Sequence, residues 1–175
     1  MSIHPEHPFD DGRREPARQL RARLGSRVCL LTAGEGRTRA GWTVSAVLLV
    51  DGDPWRVLAL VDPDSDLCER AEGTGCAVLH LLADDHRFLA DAFAGLAPAP
   101  GGPFTLASWE QCGAGPRLME VANWAELSLE SAQDLGWSRQ LVFTVDEAHT
   151  GTDEAPLHHL RGRYRTLGPS GEGSS

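Results

Sequence analysis

The apolar residues of this chain come in short runs, each closed abruptly by glycine, aspartate or proline. Residues 27–33 read RVCLLTA, 42–50 read WTVSAVLLV, 55–61 read WRVLALV and 76–83 read CAVLHLLA. Runs of this length, bounded by turn residues, suit strands better than helices. Gly34, Glu35 and Gly36 separate the first pair, and Asp51, Gly52, Asp53 and Pro54 separate the second. Strand, turn and strand in close succession read as an antiparallel meander. Two longer β segments follow at 118–130 and 137–147, and a terminal strand lies within 157–167. About seven short strands must hide their edges by closure or against a partner. The expected fold is mainly β, a closed or half-closed antiparallel barrel, with two or three short peripheral helices.

Helical patterning is brief. Pro16 fits a first turn, with Ala17, Leu20 and Leu24 on one face and Gly25 as the stop. A short helix spans 67–72, where Asp66 and Glu69 have capping-box spacing. Another spans 86–94, capped by Asp84 and Asp85, with Phe88, Leu89, Ala92 and Phe93 at helical spacing. Residues 96–103 form a rigid loop. No internal repeat is visible. The domain is expected over 16–167, with a mobile tail at 1–15 and a disordered one at 168–175.

Charge narrows the function. The chain carries a formal net charge of −9, against the basic surface that a non-specific nucleic-acid binder needs. All 16 basic residues are arginine. Without lysine there is no Schiff-base chemistry and no P-loop. Any bound anion must be held by arginine, backbone N–H groups or hydroxyls. No apolar run approaches the roughly 20 residues of a membrane span. No secretory signal is visible, so the expected compartment is the cytoplasm. Of the four cysteines, Cys29 and Cys76 lie inside apolar runs and read as buried small hydrophobes. Their spacing fits no zinc pattern, and His158 and His159 alternate across a strand, so no metal site is expected.

The stretch 40–50, AGWTVSAVLLV, stands apart. Ala40 and Gly41 open onto Thr43, Ser45 and Ala46, where nothing bulky keeps a ligand from the backbone. GWTVSA at 41–46 resembles the G-x-T-x-S-A signature of the flavin reductase-like family, the FMN-binding split barrels. Other pieces follow in the family's order: LALVDPDS, then Gly75 to Leu79, LADAFAG at 89–95, GAGPRL at 113–118 and APLHHLRGRYRTL at 155–167. The resemblance covers residues 18 to 167.

That resemblance implies a homodimer that binds FMN, or FAD as a substrate, and passes it a hydride from NAD(P)H. A partner monooxygenase would take the reduced flavin. It assigns Trp42, Thr43, Val44, Ser45 and Ala46 to the flavin ring and ribityl chain. Thr43 and Ser45 are equally ordinary strand residues facing water. Asp62 and Ser65 fall where the family's N-x-S-S-x-T loop meets the phosphate, ahead of a helix N-terminus. Here Asp62, Asp64 and Asp66 introduce three carboxylates. They either oppose a phosphate or face outward as caps, with Arg37 and Arg39 as compensating charge. Many family members start a later strand with G-D-H; here residues 135–138 read LGWS, and Trp137 either stacks on a ring or packs. By period-2 geometry Arg161, Arg163 and Arg165 share one face and Tyr164 the other. They read either as a phosphate or partner contact with Tyr164 near the site, or as a solvated arginine face over a core tyrosine. The alternative to a reductase is a non-catalytic flavin-binding or structural relative.

Overall fold

The computed structural model describes residues 16–152 and 155–167. The expected tails at 1–15 and 168–175 lie outside the described residues. The helices are α1 (Pro16–Leu24), α2 (Asp66–Thr74) and α3 (Arg87–Phe93). The first strands are β1 (Ser26–Arg27), β2 (Cys29–Ala33), β3 (Ala40–Val44), β4 (Val47–Val50), β5 (Arg56–Val61) and β6 (Cys76–Leu81). They are followed by β7 (Trp109–Cys112), β8 (Gly115–Leu118), β9 (Trp124–Leu135), β10 (Ser138–His149), β11 (Leu157–Leu160) and β12 (Arg163–Thr166).

Seven strands form one antiparallel sheet in the order β3-β2-β6-β9-β10-β5-β4. β3 and β4, at opposite edges, are consecutive in the chain. The sheet is therefore curled until the segment 40–50 serves both of its edges. Register shifts within the β9–β10 pair, between Val142 and Phe143 and between Val145 and Glu147, supply local bends for this curl. The single strand expected over 42–50 is two, because the chain changes partner at Ser45 and Ala46.

Period-2 alternation divides β2 between two cores. Cys29, Leu31 and Ala33 point into the barrel with Val57, Leu127 and Phe143. Val28 and Leu30 point outward to a second cluster with Leu89, Phe93, Leu118 and Leu157. All of β2 is buried, which explains its unbroken apolar sequence. Cys76, expected to be buried, is half-buried at the start of β6. α2 closes one end of the barrel, with Leu67, Cys68 and Ala71 packed into its core. α3 lies outside, over Gly41 of β3.

Two further expectations change. The terminal strand is a hairpin of β11 and β12, turning at Arg161 (φ 53°) and Gly162 (φ 75°). Arg161 therefore sits in the turn and not on a strand face. In α1, the expected apolar face of Ala17, Leu20 and Leu24 is not buried.

Candidate flavin site

The barrel's seam brings the two sequence motifs together. The Leu60 N–H donates to the Ala46 carbonyl at 3.0 Å, so the Ser45–Ala46 step lies two residues from Asp62. Val44 is buried in the barrel core and Trp42 packs against it. Thr43 points the other way, and its hydroxyl donates to the Ala90 carbonyl of α3 at 2.6 Å. Its oxygen lone pairs remain as acceptors. Ser45 is half-buried and Ala46 exposed.

The turn after β5 is built by its own side chains. Ser65 is 7% exposed and caps α2: its hydroxyl accepts from the Cys68 N–H at 3.2 Å and donates to the Asp62 carbonyl at 2.7 Å. The cap is thus Ser65, not the expected Asp66–Glu69 box, and the Ser65 hydroxyl is already committed to backbone. The Asp62 carboxylate accepts from the Asp64 N–H at 2.9 Å, an Asx turn. Asp64 and Asp66 face solvent, and Asp66 sits in the first turn, where a carboxylate favours the helix dipole.

A cleft of about 200 Å³ opens beside this turn, lined by Arg37, Thr38, Arg39, Asp66, Glu69 and Arg70. Three guanidinium groups face two carboxylates, a local positive excess on an acidic protein. The Arg70 stem lies on Gly34, where an added Cβ would come within 2.8 Å of its Cγ. Its buried Nε has no hydrogen-bond partner among the described residues. A buried donor left unpaired is costly and suits an anionic acceptor. The Arg39 guanidinium lies over the Phe104 ring at 4.5 Å from its centroid. These residues fit a phosphate. The sequence reading missed Arg70; the only signal was its i,i+4 spacing from Asp66 on α2.

The β9–β10 hairpin tip stands at the same end. Arg139 pairs with Val61 across the sheet. Its guanidinium bonds both Glu72 oxygens of α2 at 2.8 and 2.9 Å and Asp134 at 2.9 Å. Arg139 holds the Glu72 carboxyl below its usual range. The tip carries Leu135 and Trp137, both exposed.

Tyr164 is not brought to this turn. It packs against the outer cluster, and its hydroxyl donates to Asp91 of α3 at 2.6 Å. Burial, then that carboxylate, pushes the phenol pKa up. The two buried thiols, Cys29 and Cys68, are poor nucleophiles. Burial raises Cys29 to about 12, and burial with Glu72 raises Cys68 to about 11, so both stay protonated near neutrality. No group of metal-binding side chains forms among the described residues.

The model of the flavin reductase like domain matches residues 21–168. The chain belongs to that family. A protein named FMN reductase (NADH) RutF, from Agrobacterium fabrum, is 27% identical over 151 residues, covering 86% of each chain. The NADH:FAD oxidoreductase SgcE6 of Streptomyces globisporus, solved with NAD and FAD fragments, superposes with a TM-score of 0.79 at 18% identity. That match covers 89% of this chain and 93% of SgcE6. BorF, the flavin reductase component of a bacterial two-component tryptophan halogenase, gives 0.77 at 22% identity over 87% of this chain and 97% of its own. At these identities the two structures establish the split-barrel fold of a flavin reductase-like domain.

Proposed function

We propose that this chain is a flavin reductase, binding FMN along the barrel seam and taking hydride from NADH. The relatives named FMN reductase (NADH) support the donor and acceptor. The observation that carries the reading is the Ala46–Leu60 hydrogen bond, which sets the signature strand beside the turn that opens α2. Trp42, Thr43, Val44, Ser45 and Ala46 border the flavin ring and ribityl chain. Asp62 and Ser65 shape the turn, and the α2 N-terminus with Arg37, Arg39 and Arg70 holds the phosphate. The relatives' name, FMN reductase, favours FMN over FAD.

Bound flavin supplies the ring that accepts the hydride. The protein's part is to bind and orient it. Thr43, fixed by Ala90, keeps the signature strand's hydroxyl in one rotamer. Gly41 lets α3 approach the strand from behind. Tyr164 ties β12 to α3 through Asp91, away from the flavin.

The active form is a homodimer. β4 is a sheet edge whose Leu48 and Leu49, on opposite faces, are 63% and 64% exposed. Such an edge calls for a partner. A monooxygenase or similar flavin-consuming enzyme takes the product, as BorF serves a halogenase. The domain spans 16–167 and works in the cytoplasm; no described helix is long and apolar enough to cross a membrane. Purified protein titrated with FMN and then given NADH tests this reading. Saturable flavin binding with nicotinamide oxidation supports it. Absence of both, or flavin held but not reduced, overturns it.

A further inference from the structure

The two ends of the domain meet in one arginine-rich lobe. Residues 16–27 and 155–167 contain seven arginines and no aspartate or glutamate, while the whole chain has 25 acidic residues. The fold puts these distant segments side by side. β1 pairs with β11, and β11 with β12. The Arg161 N–H donates to the Ala22 carbonyl of α1 at 2.8 Å, fastening the hairpin turn to the helix.

Arg163 and Arg165 face outward from β12, because the alternate residues are spoken for. Tyr164 bonds Asp91, and Thr166 bonds Asp84. On α1, Leu20 and Leu24 are 70% and 83% exposed, and no residue of the helix is buried. An amphipathic helix flanked by guanidinium groups, with its leucines exposed, suits contact with another surface better than a place in the core.

We propose that this lobe docks an acidic surface of a partner protein, with Leu20 and Leu24 entering an apolar slot on it. Guanidinium groups pair bidentately with carboxylates, which gives a rigid hairpin geometric selectivity. A second copy of this chain is a poor occupant. A two-fold contact centred on the lobe would set the same arginines against each other. An anionic membrane is also a poor one. α1 offers two leucines and no aromatic residue, and an extended negative plane senses the whole chain's charge of −9. A localised acidic patch meets only the lobe.

The test uses the full chain and a soluble helical peptide with glutamates on one face and leucines on the other, followed by fluorescence anisotropy. The expected result is saturable binding that weakens as salt is raised. Leu20→Ala with Leu24→Ala, and separately Arg163→Glu with Arg165→Glu, each weaken it at least tenfold. Circular dichroism melts identify any variant that fails to fold, and NADH-driven FMN reduction stays unchanged. Equal binding by wild type and both variants overturns the proposal. So does sedimentation with phosphatidylcholine–phosphatidylserine vesicles, or a change of oligomeric state in the Arg163/Arg165 variant. The anisotropy, sedimentation and oligomeric-state readouts do not depend on flavin, so they stand or fall apart from the reductase reading.

Discussion

Leu60 and Ala46 share a backbone hydrogen bond of 3.0 Å across the barrel seam. The bond joins an exposed, small-residue step to β5, which ends at Val61, one residue before Asp62. A side chain larger than methyl at Ala46 therefore projects into the proposed flavin groove without entering the core. Ala46→Trp should weaken FMN binding at least tenfold, about 1.4 kcal/mol. The melting temperature should move little. Fluorescence quenching titrations and a thermal melt check both.

Gly41 is required by a neighbour. A Cβ there would stand 2.6 Å from Phe93 Cε1, and Phe93 is 3% exposed in the outer cluster. The ring cannot retreat into solvent. Gly41→Ala should destabilise the fold by about 1–3 kcal/mol, the usual range for overpacking. Adding Phe93→Leu should restore part of that loss in urea denaturation; no recovery would show that the clash lies elsewhere.

In the proposed site the cleft arginines meet the phosphate and not the flavin ring. Arg70→Gln should raise the dissociation constant for FMN about tenfold or more and leave that for riboflavin, which has no phosphate, within twofold. Equal losses for the two ligands would remove Arg70 from the phosphate site.

Much of this was legible in the sequence, and the failures have physical causes. The runs at 27–33, 55–61 and 76–83 became strands because their apolar residues are buried on one or both faces. The stretch 42–50 looked uninterrupted, since a switch of sheet edge leaves no mark on hydropathy. The Asp66–Glu69 spacing suggested a cap, but Ser65 stands one residue earlier with its hydroxyl in reach of the Cys68 N–H. Period-2 alternation left Tyr164 either near the site or in the core; it packs on the outer cluster with its hydroxyl on Asp91, a partner that strand periodicity does not reveal. Arg70 was invisible, because its place in the cleft depends on Arg37, Thr38 and Arg39 some thirty positions earlier and on Gly34 beneath its stem.

His80 makes the fold acid-sensitive. It is fully buried, its Nδ1 donates to the Leu30 carbonyl at 3.1 Å, and its Nε2 accepts from the Leu118 N–H at 3.0 Å. This arrangement requires the neutral ring, and burial lowers its pKa to about 4. A depressed histidine pKa means that the unfolded chain takes up a proton first. Stability is therefore full above about pH 6.5 and falls as pH drops from there toward about 4, by on the order of 3 kcal/mol. His80→Gln should lower stability at neutral pH and flatten that part of the profile, as read by denaturant midpoints across pH.

Tyr164→Phe removes the Asp91 hydrogen bond and little packing. It should cost about 1 kcal/mol of stability. FMN affinity should stay within twofold, which a titration beside the melt would show.

The most direct measurement is FMN-dependent oxidation of NADH by the purified chain, with the flavin's own fluorescence read in the same cuvette. Saturable FMN binding is expected, with a rate of nicotinamide oxidation that Ala46→Trp and Arg70→Gln both reduce. Flavin bound without any oxidation of NADH, or no binding at all, would contradict it.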